Sequence, residues 1–460
     1  MQIGRKDVLW NYAATFLQVG AGVILLPFIL RAFPQETVAI WTIFSTIIAL
    51  SSLLDFGFNP SFARNVSYVV SGVKELKKNG FQIVENNICA VDYSLFKGLI
   101  NAMRWFYTRI SLFLFVFLVT VGTYYIHTVL KNYSGNIVEV YISWAILCVI
   151  NSYSLYTLYY DALVQGQGWV KRAKQIQIAG QVVYLLVAII MILLQFNLIA
   201  IISAQALSVL IRRTLSYYTI YTTEFKQYLQ NVKAQYREII LKSIYPNAVK
   251  LGLNNLASFI TLRSSLIIGS LYLSLEMIAS YGITIQIVAI ISSISGVYFS
   301  TYLPKISQLR TQNNIEGIKN LFLKGLLLSL ITYLVFGLSF VYLGDWVLNL
   351  IKSQTPVLPK FLIFMTILFS FHEAIINFVA NTVLSKNEVP FFKTSFAVST
   401  IALAVLFIFF IYTSMGILGM IIAPGIAQCL HWIWMSKVIK ELRIKRKDIY
   451  YSFVRVKSIL

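Results

Sequence analysis

Cysteine and histidine are scarce in this chain. Cys89, Cys148 and Cys429 lie far apart with no CxxC spacing, and His127, His372 and His431 are equally dispersed. Metal and haem chemistry therefore have no support, and no cofactor or metal site is expected. Charge is scarce as well. Only 12% of the 460 residues are charged, where a soluble domain carries about 25%. Acids are scarcest of all, 17 against 38 Lys and Arg. The outer loops are short and hold only isolated acids, Glu36, Glu139, Glu276 and Asp345, which leaves no catalytic acid pair for an enzyme. The N-terminal residues 1–7 lead straight into a long apolar run, so no short cleavable leader is expected.

What fills the chain is hydrophobic: 58% of residues, with a mean hydropathy of +0.74. Runs of about twenty apolar residues read as membrane spans, and twelve are expected, at 8–30, 38–62, 105–126, 137–160, 175–195, 198–220, 243–268, 276–302, 321–343, 357–383, 391–413 and 416–436. The fold class is thus an all-α polytopic membrane protein. With the N-terminus inside, the outer loops hold only Arg31, Lys131, Lys352 and Lys360 of the basic residues. That asymmetry puts both termini in the cytoplasm. It also accounts for the net charge of +21 as topological, so no nucleic-acid partner is expected.

The spans divide into an N-terminal six-helix lobe (1–220), a cytoplasmic linker (221–242), a C-terminal six-helix lobe (243–440) and a basic tail (441–460). In the linker Phe225, Tyr228, Leu229, Val232 and Tyr236 recur at helical spacing, as in an amphipathic helix on the inner leaflet. The halves repeat weakly. Offset by 240 residues, 42–67 aligns without gaps on 282–307, with Ile43/Ile283, Ile47/Ile287, Ala49/Ala289, Ser52/Ser292 and Ser67/Ser307 identical. Paired halves around charges at membrane depth are a common transporter plan, with a central cavity between them.

Five charges inside or at the ends of apolar runs are the candidate site residues, because such residues are functional by default. Arg263, in TLRSSLIIG, leads the candidates for substrate binding, since a guanidinium grips phosphate through a planar bidentate fork. Lys250 and Arg64 are the other substrate-binding candidates, each also readable as a cation snorkelling to the inner interface. Thirteen residues separate Lys250 from Arg263, roughly 140° apart on a straight helix, and Gly252 could bend it. Asp55 pairs with a base or caps a loosened helix end, or titrates as a coupling charge, with Asn59-Pro60 distorting the helix beyond it. Glu373, beside His372, is the candidate for proton coupling or for a structural carboxyl.

The segments PQETVAIW (34–41), LLDFGFNPSFAR (53–64), ALVQGQGWVKRAKQIQIAGQV (162–182), SLEMIASYGITIQIV (274–288) and YLPKIS (302–307), in that order, resemble the multidrug/oligosaccharidyl-lipid/polysaccharide (MOP) exporter superfamily. The likeness is to its polysaccharide-transport branch of bacterial repeat-unit flippases. It implies a bacterial inner-membrane protein that moves undecaprenyl-pyrophosphate-linked oligosaccharide from the cytoplasmic to the periplasmic leaflet by alternating access, for O-antigen or capsule synthesis. It further implies proton or sodium coupling and contact with the polymerase and chain-length machinery. Two departures stand out. Arg263 occupies a position where many relatives carry an acid, and Ala39 and Ser280 replace a common glycine. The rival readings are a cation-coupled multidrug exporter of the same superfamily and a membrane-embedded polymerase or glycosyltransferase.

Overall fold

A computed structural model describes residues 5–70, 72–73, 76, 91–131, 133–235, 237–311, 314–384 and 391–442; within its helices some side chains, Lys250 among them, lie outside the described set. Ser71, most of the loop 74–90 and the tail beyond Leu442 are likewise outside it. All regular elements among the described residues are helices, and ten are long and apolar enough to cross a membrane. The chain divides into two compact units, Met1–Leu256 and Ala257–Leu460.

The first unit begins with α1 (Arg5–Ala32) and α2 (Gln35–Leu53), then α3 (Phe58–Val70). The apolar run 38–62 is therefore not one span. The chain breaks at Leu54–Gly57, ahead of Asn59-Pro60, because Phe56 (φ +48°) and Gly57 (φ +70°) take the left-handed region, where only glycine is at ease. Pro60 then falls in the first turn of α3, where a missing N–H costs nothing. Nineteen residues of α2 rise roughly 28 Å, about the thickness of the hydrocarbon layer. Asp55 thus lies just past the end of a span rather than deep within one.

Asp92 opens α4 (Tyr93–Phe117) by accepting the N–H groups of Ser94 and Leu95 at 2.9 and 3.0 Å. A π turn (Leu118–Gly122) links α4 to α5 (Thr123–Leu130). There follow α6 (Ile137–Tyr156), α7 (Tyr159–Gly166), α8 (Val170–Leu193) and α9 (Leu198–Ile220), with α8 packed on both α1 and α9. The linker forms only a short α10 (Thr223–Gln230), capped by Thr222, and the helix stops at Asn231. Its aromatic side faces protein: Tyr228 stacks on Tyr93 and Phe225 meets Phe96. Next, α11 (Arg237–Gly269) is continuous through Gly252, with no break in the helix there. Gly252 instead makes room for a neighbour, since a Cβ there would collide with the backbone of Phe56.

In the second unit α12 (Leu275–Thr311) is a single helix, unlike its repeat partner. The counterpart of Gly57 at the 240-residue offset is Val297, and valine cannot take the left-handed turn that interrupts the first copy. α13 (Ile315–Thr332) passes through a second π turn (Tyr333–Gly337) into α14 (Leu338–Leu350). α15 (Lys360–Leu384), α16 (Phe392–Tyr412), α17 (Ile417–Gln428), a 3-10 turn (Cys429–His431) and α18 (Trp432–Glu441) complete it. Phe299, Ile318, Phe322, Val379, Trp434 and Met435 form its buried core. Each π turn ends in a glycine that a facing side chain presses upon: Trp144 at Gly122 and Ile367 at Gly337. The extra residue of a π turn thus recurs in both units at the helix after the paired segment, a stronger sign of repetition than the five sequence identities.

Exposed Leu186, Ile190 and Leu193 on α8, and Ile408 and Ile411 on α16, give outer faces suited to lipid rather than water.

Candidate functional site

The five candidate charges have distinct surroundings. Asp55 is buried at the α2–α3 break, where it accepts the Asn59 N–H at 3.1 Å and the Tyr107 hydroxyl. Phe62 and Phe106 pack against Tyr107, and Phe58 packs against both of them. The carboxylate therefore caps α3 and ties it to α4. Arg64 is exposed on α3, away from the lining of the cavities described below. Lys250 belongs to α11, and its side chain is outside the described residues. Arg263 and Glu373, 110 positions apart in sequence, are brought to one cavity.

That cavity, about 270 Å³, lies wholly in the second unit. Three helices build it, each through one face at the i, i+3, i+4, i+7 spacing. α12 supplies Ile285, Val288, Ala289 and Ser292; α15 supplies Thr366, Phe369, Ser370 and Glu373; α17 supplies Ile421, Pro424, Gly425 and Gln428. The fourth residue of each series is polar, so Ser292, Glu373 and Gln428 share the cavity with Arg263 of α11. Pro424 has no N–H to donate, which frees the Met420 carbonyl beside the space. Gly425 lets the Phe369 ring lie against α17, as a Cβ would strike it. A smaller cavity of about 50 Å³ adjoins, lined by Ser258, Thr261, Asn377 and His431, with Glu373 and Gln428 common to both. Gln428 Oε1 is buried without a hydrogen-bond partner. Among the described residues no ion pair within 4.0 Å joins Arg263 to Glu373, although the two charges act on each other electrostatically. His372 faces elsewhere: its Nε2 accepts the Trp432 indole N–H at 2.9 Å, and the rings stack.

The first unit has a larger cavity, about 480 Å³, between α7, α8 and α9. Lys174, Arg212, Arg213 and Asp161 face it, none of which the apolar-run reading singled out. Arg212 and Arg213 stand eight and seven residues before the end of α9 and read as part of the inner basic fringe. The available signal was their position inside the run LSVLIRRTL, a full turn and more from any polar loop. Arg104 is a further missed cation, held between the Tyr159 and Tyr221 hydroxyls at 3.3 and 3.2 Å.

Two of the isolated loop acids are spoken for. Glu36 accepts the N–H and hydroxyl of Ser134 at 2.7 and 3.0 Å, and Glu139 accepts the Leu198 N–H at 2.8 Å. They pin loops to helix ends. Among the described residues no group of three or more His, Cys, Asp or Glu could hold a metal ion.

No protein-family model and no curated protein matches this sequence. Solved structures do match its fold along nearly the whole chain. An inward-facing multidrug resistance MATE family transporter of the MOP superfamily superposes with a TM-score of 0.61 at 14% identity, over 94% of this chain and 95% of that one. The lipid II flippase MurJ, in an inward closed conformation, gives 0.62 at 12% identity over 97% and 89%. A MOP superfamily transporter from Pyrococcus furiosus, described by the reversed polarity of its binding pocket, gives 0.54 at 15% over 96% and 95%. The chain is a multi-pass, all-α membrane protein with the fold shared by MOP superfamily transporters. At these identities the likeness establishes the fold.

Proposed function

We propose that this protein is a flippase for undecaprenyl-pyrophosphate-linked oligosaccharide repeat units, working by alternating access in a bacterial inner membrane. The observation that carries the reading is Arg263, a guanidinium in a membrane-depth cavity that has no ion-pair partner within 4.0 Å among the described residues. A diphosphate would complete it through charge-assisted hydrogen bonds. Glu373 in the same cavity competes for that guanidinium. Protonating Glu373 would release Arg263 to the substrate, and deprotonation would return it, which couples anion binding to a proton. The likeness in fold to the MurJ flippase supports the class of substrate. With Glu36 and Glu139 tied to backbone N–H groups, the enzyme readings lose their best outer acids.

The test is complementation of surface polysaccharide in a flippase-null strain, with membrane levels followed in parallel. Arg263→Ala should nearly abolish polymer while the protein remains inserted; Arg263→Lys, which keeps charge and loses the fork, should retain part of it. Normal polymer with Arg263→Ala would remove Arg263 from the mechanism. Glu373 also favours a second reading, a cation-coupled multidrug exporter. Under that reading Glu373→Gln would restore susceptibility to cationic drugs and leave polymer untouched.

The proposal includes twelve spans, with α1 and α11 joining the ten, in two lobes of six and with both termini cytoplasmic. Single cysteines at Ser353 and Glu224, in a background without native cysteine, check it. Ser353 should label with an impermeant reagent from outside and Glu224 should not; the reverse pattern would invert the topology.

A further inference from the structure

The first unit's cavity has no part in the reading above, and its lining is set for an anion. Lys174, Arg212 and Arg213 face it with Asp161 as the single acid. Asp161 is already committed, since Arg213 Nη1 donates to it at 2.8 Å while Nη2 donates to the Ser154 carbonyl at 3.3 Å. That pair neutralises itself and leaves two cations over. Lys174 Nζ donates to a neutral amide oxygen, Gln177 Oε1, at 3.3 Å. Among the described residues Arg212 has no ion pair within 4.0 Å, and its Nε is buried with no hydrogen-bond partner.

The placement of Arg212 is built in. A Cβ at Gly180 would occupy the space of its Cγ and Cδ, so α8 carries glycine where the stem crosses. Ser208 Oγ donates to the Gly180 carbonyl at 2.7 Å and fixes α9 against α8 at that level. Val170, the first residue of the 24-residue α8, also lines the space, and Trp169 provides no side-chain cap. The helix start therefore adds the positive end of its dipole. A guanidinium half removed from water is costly without a counter-ion, and a planar fork beside an ammonium suits the oxygens of phosphate.

We propose that this cavity binds a phosphate-bearing anion, with Arg212 and Lys174 as its ligands, Gln165, Gln177 and Ser216 as hydrogen-bonding walls, and Arg213 as a positioning residue locked by Asp161. The site rests on the first unit alone and does not depend on the transport reading. A soluble phosphate compound and a phospholipid headgroup offer the same chemistry, so both serve as probes.

The experiment uses full-length protein in neutral detergent, as wild type and with Arg263→Gln, which strips the guanidinium from the second unit's cavity. Calorimetry measures inorganic pyrophosphate. Native mass spectrometry counts retained phosphatidylglycerol, with phosphatidylcholine as the neutral control. At least one anionic probe should bind in the Arg263→Gln protein, and adding Arg212→Gln or Lys174→Gln should weaken it about tenfold or more, the loss of one charge-assisted contact. Gly180→Ala, which keeps every charge and displaces the stem, should weaken it too. Pyrophosphate binding alone would identify a soluble ligand, and phosphatidylglycerol binding alone a lipid. The proposal fails if neither probe binds above the neutral control, or if binding survives both Arg212→Gln and Lys174→Gln. Should Arg212→Gln not purify as a single species, Lys174→Gln decides. A failure here leaves the polymer phenotype of Arg263 variants untouched, so the two readings fail separately.

Discussion

In the first unit the cavity sets Lys174, Arg212 and Arg213 against Asp161, whereas the second unit sets one Arg263 opposite one Glu373. The first has an excess of cation among its described lining residues. The second is balanced within itself, so a single proton changes its net charge. Two copies of one helical plan thus differ in their balance of charge. The repeated segments diverge in the same spirit. The first copy breaks at Phe56–Gly57 and is stitched by Asp55 to Tyr107, while the second runs unbroken as α12.

The sharpest way to break the contrast is Arg213→Ala. It strands Asp161 beside a cavity, and stability should fall by about 3 kcal/mol, the low end for a broken buried pair, because the Asp161 side chain is 39% exposed. Arg212→Ala in the same thermal-unfolding assay should be neutral or stabilising, since it removes a cation with no ion pair within 4.0 Å among the described residues. Equal losses for the two would mean that Arg212 has an internal partner after all.

A smaller effect tests the repeats. Gly57→Val installs the residue found at the 240-residue offset and should cost about 2 kcal/mol, the strain of a β-branched residue at a left-handed φ. A midpoint unchanged from wild type would show that the turn can relax without its glycine.

The smallest effect concerns the π turns. A Cβ at Gly122 would sit 2.7 Å from the Trp144 ring, while one at Gly337 would sit 3.0 Å from an Ile367 methyl. Gly122→Ala should therefore be the more destabilising of the two by about 1 kcal/mol, as overpacking against a rigid ring is harder to relieve. Inverted order would point to slack around Trp144.

The helical, membrane-spanning character of the chain is legible in its apolar runs, because lipid forces every span to satisfy its own backbone. Arg263 and Glu373 are legible as isolated charges in such runs, yet nothing local shows that they meet. That depends on α11 and α15 sharing a cavity wall. Asp55 reads as deeper than it is, since Leu53, Leu54, Phe56 and Phe58 continue the apolar run straight across the break. Only the backbone at Phe56–Gly57 reveals that the span has ended. The cationic cavity of the first unit escapes the sequence for the opposite reason. Arg212 and Arg213 lie close enough to the inner fringe to look like ordinary topology signals, and the partner of Arg213 is 52 positions away.

The π turns at Leu118–Gly122 and Tyr333–Gly337 carry a consequence for how the gene can change. At most points in a membrane helix, losing one codon rotates everything beyond it by about 100° and turns lipid-facing side chains inward. A π turn already holds one residue more than an α turn. Deletion there would close the helix into regular α geometry and leave both flanking faces in place. These ten positions are thus where the chain can shorten without scrambling its spans. In-frame single-codon deletions surviving selection for an inserted protein should cluster there.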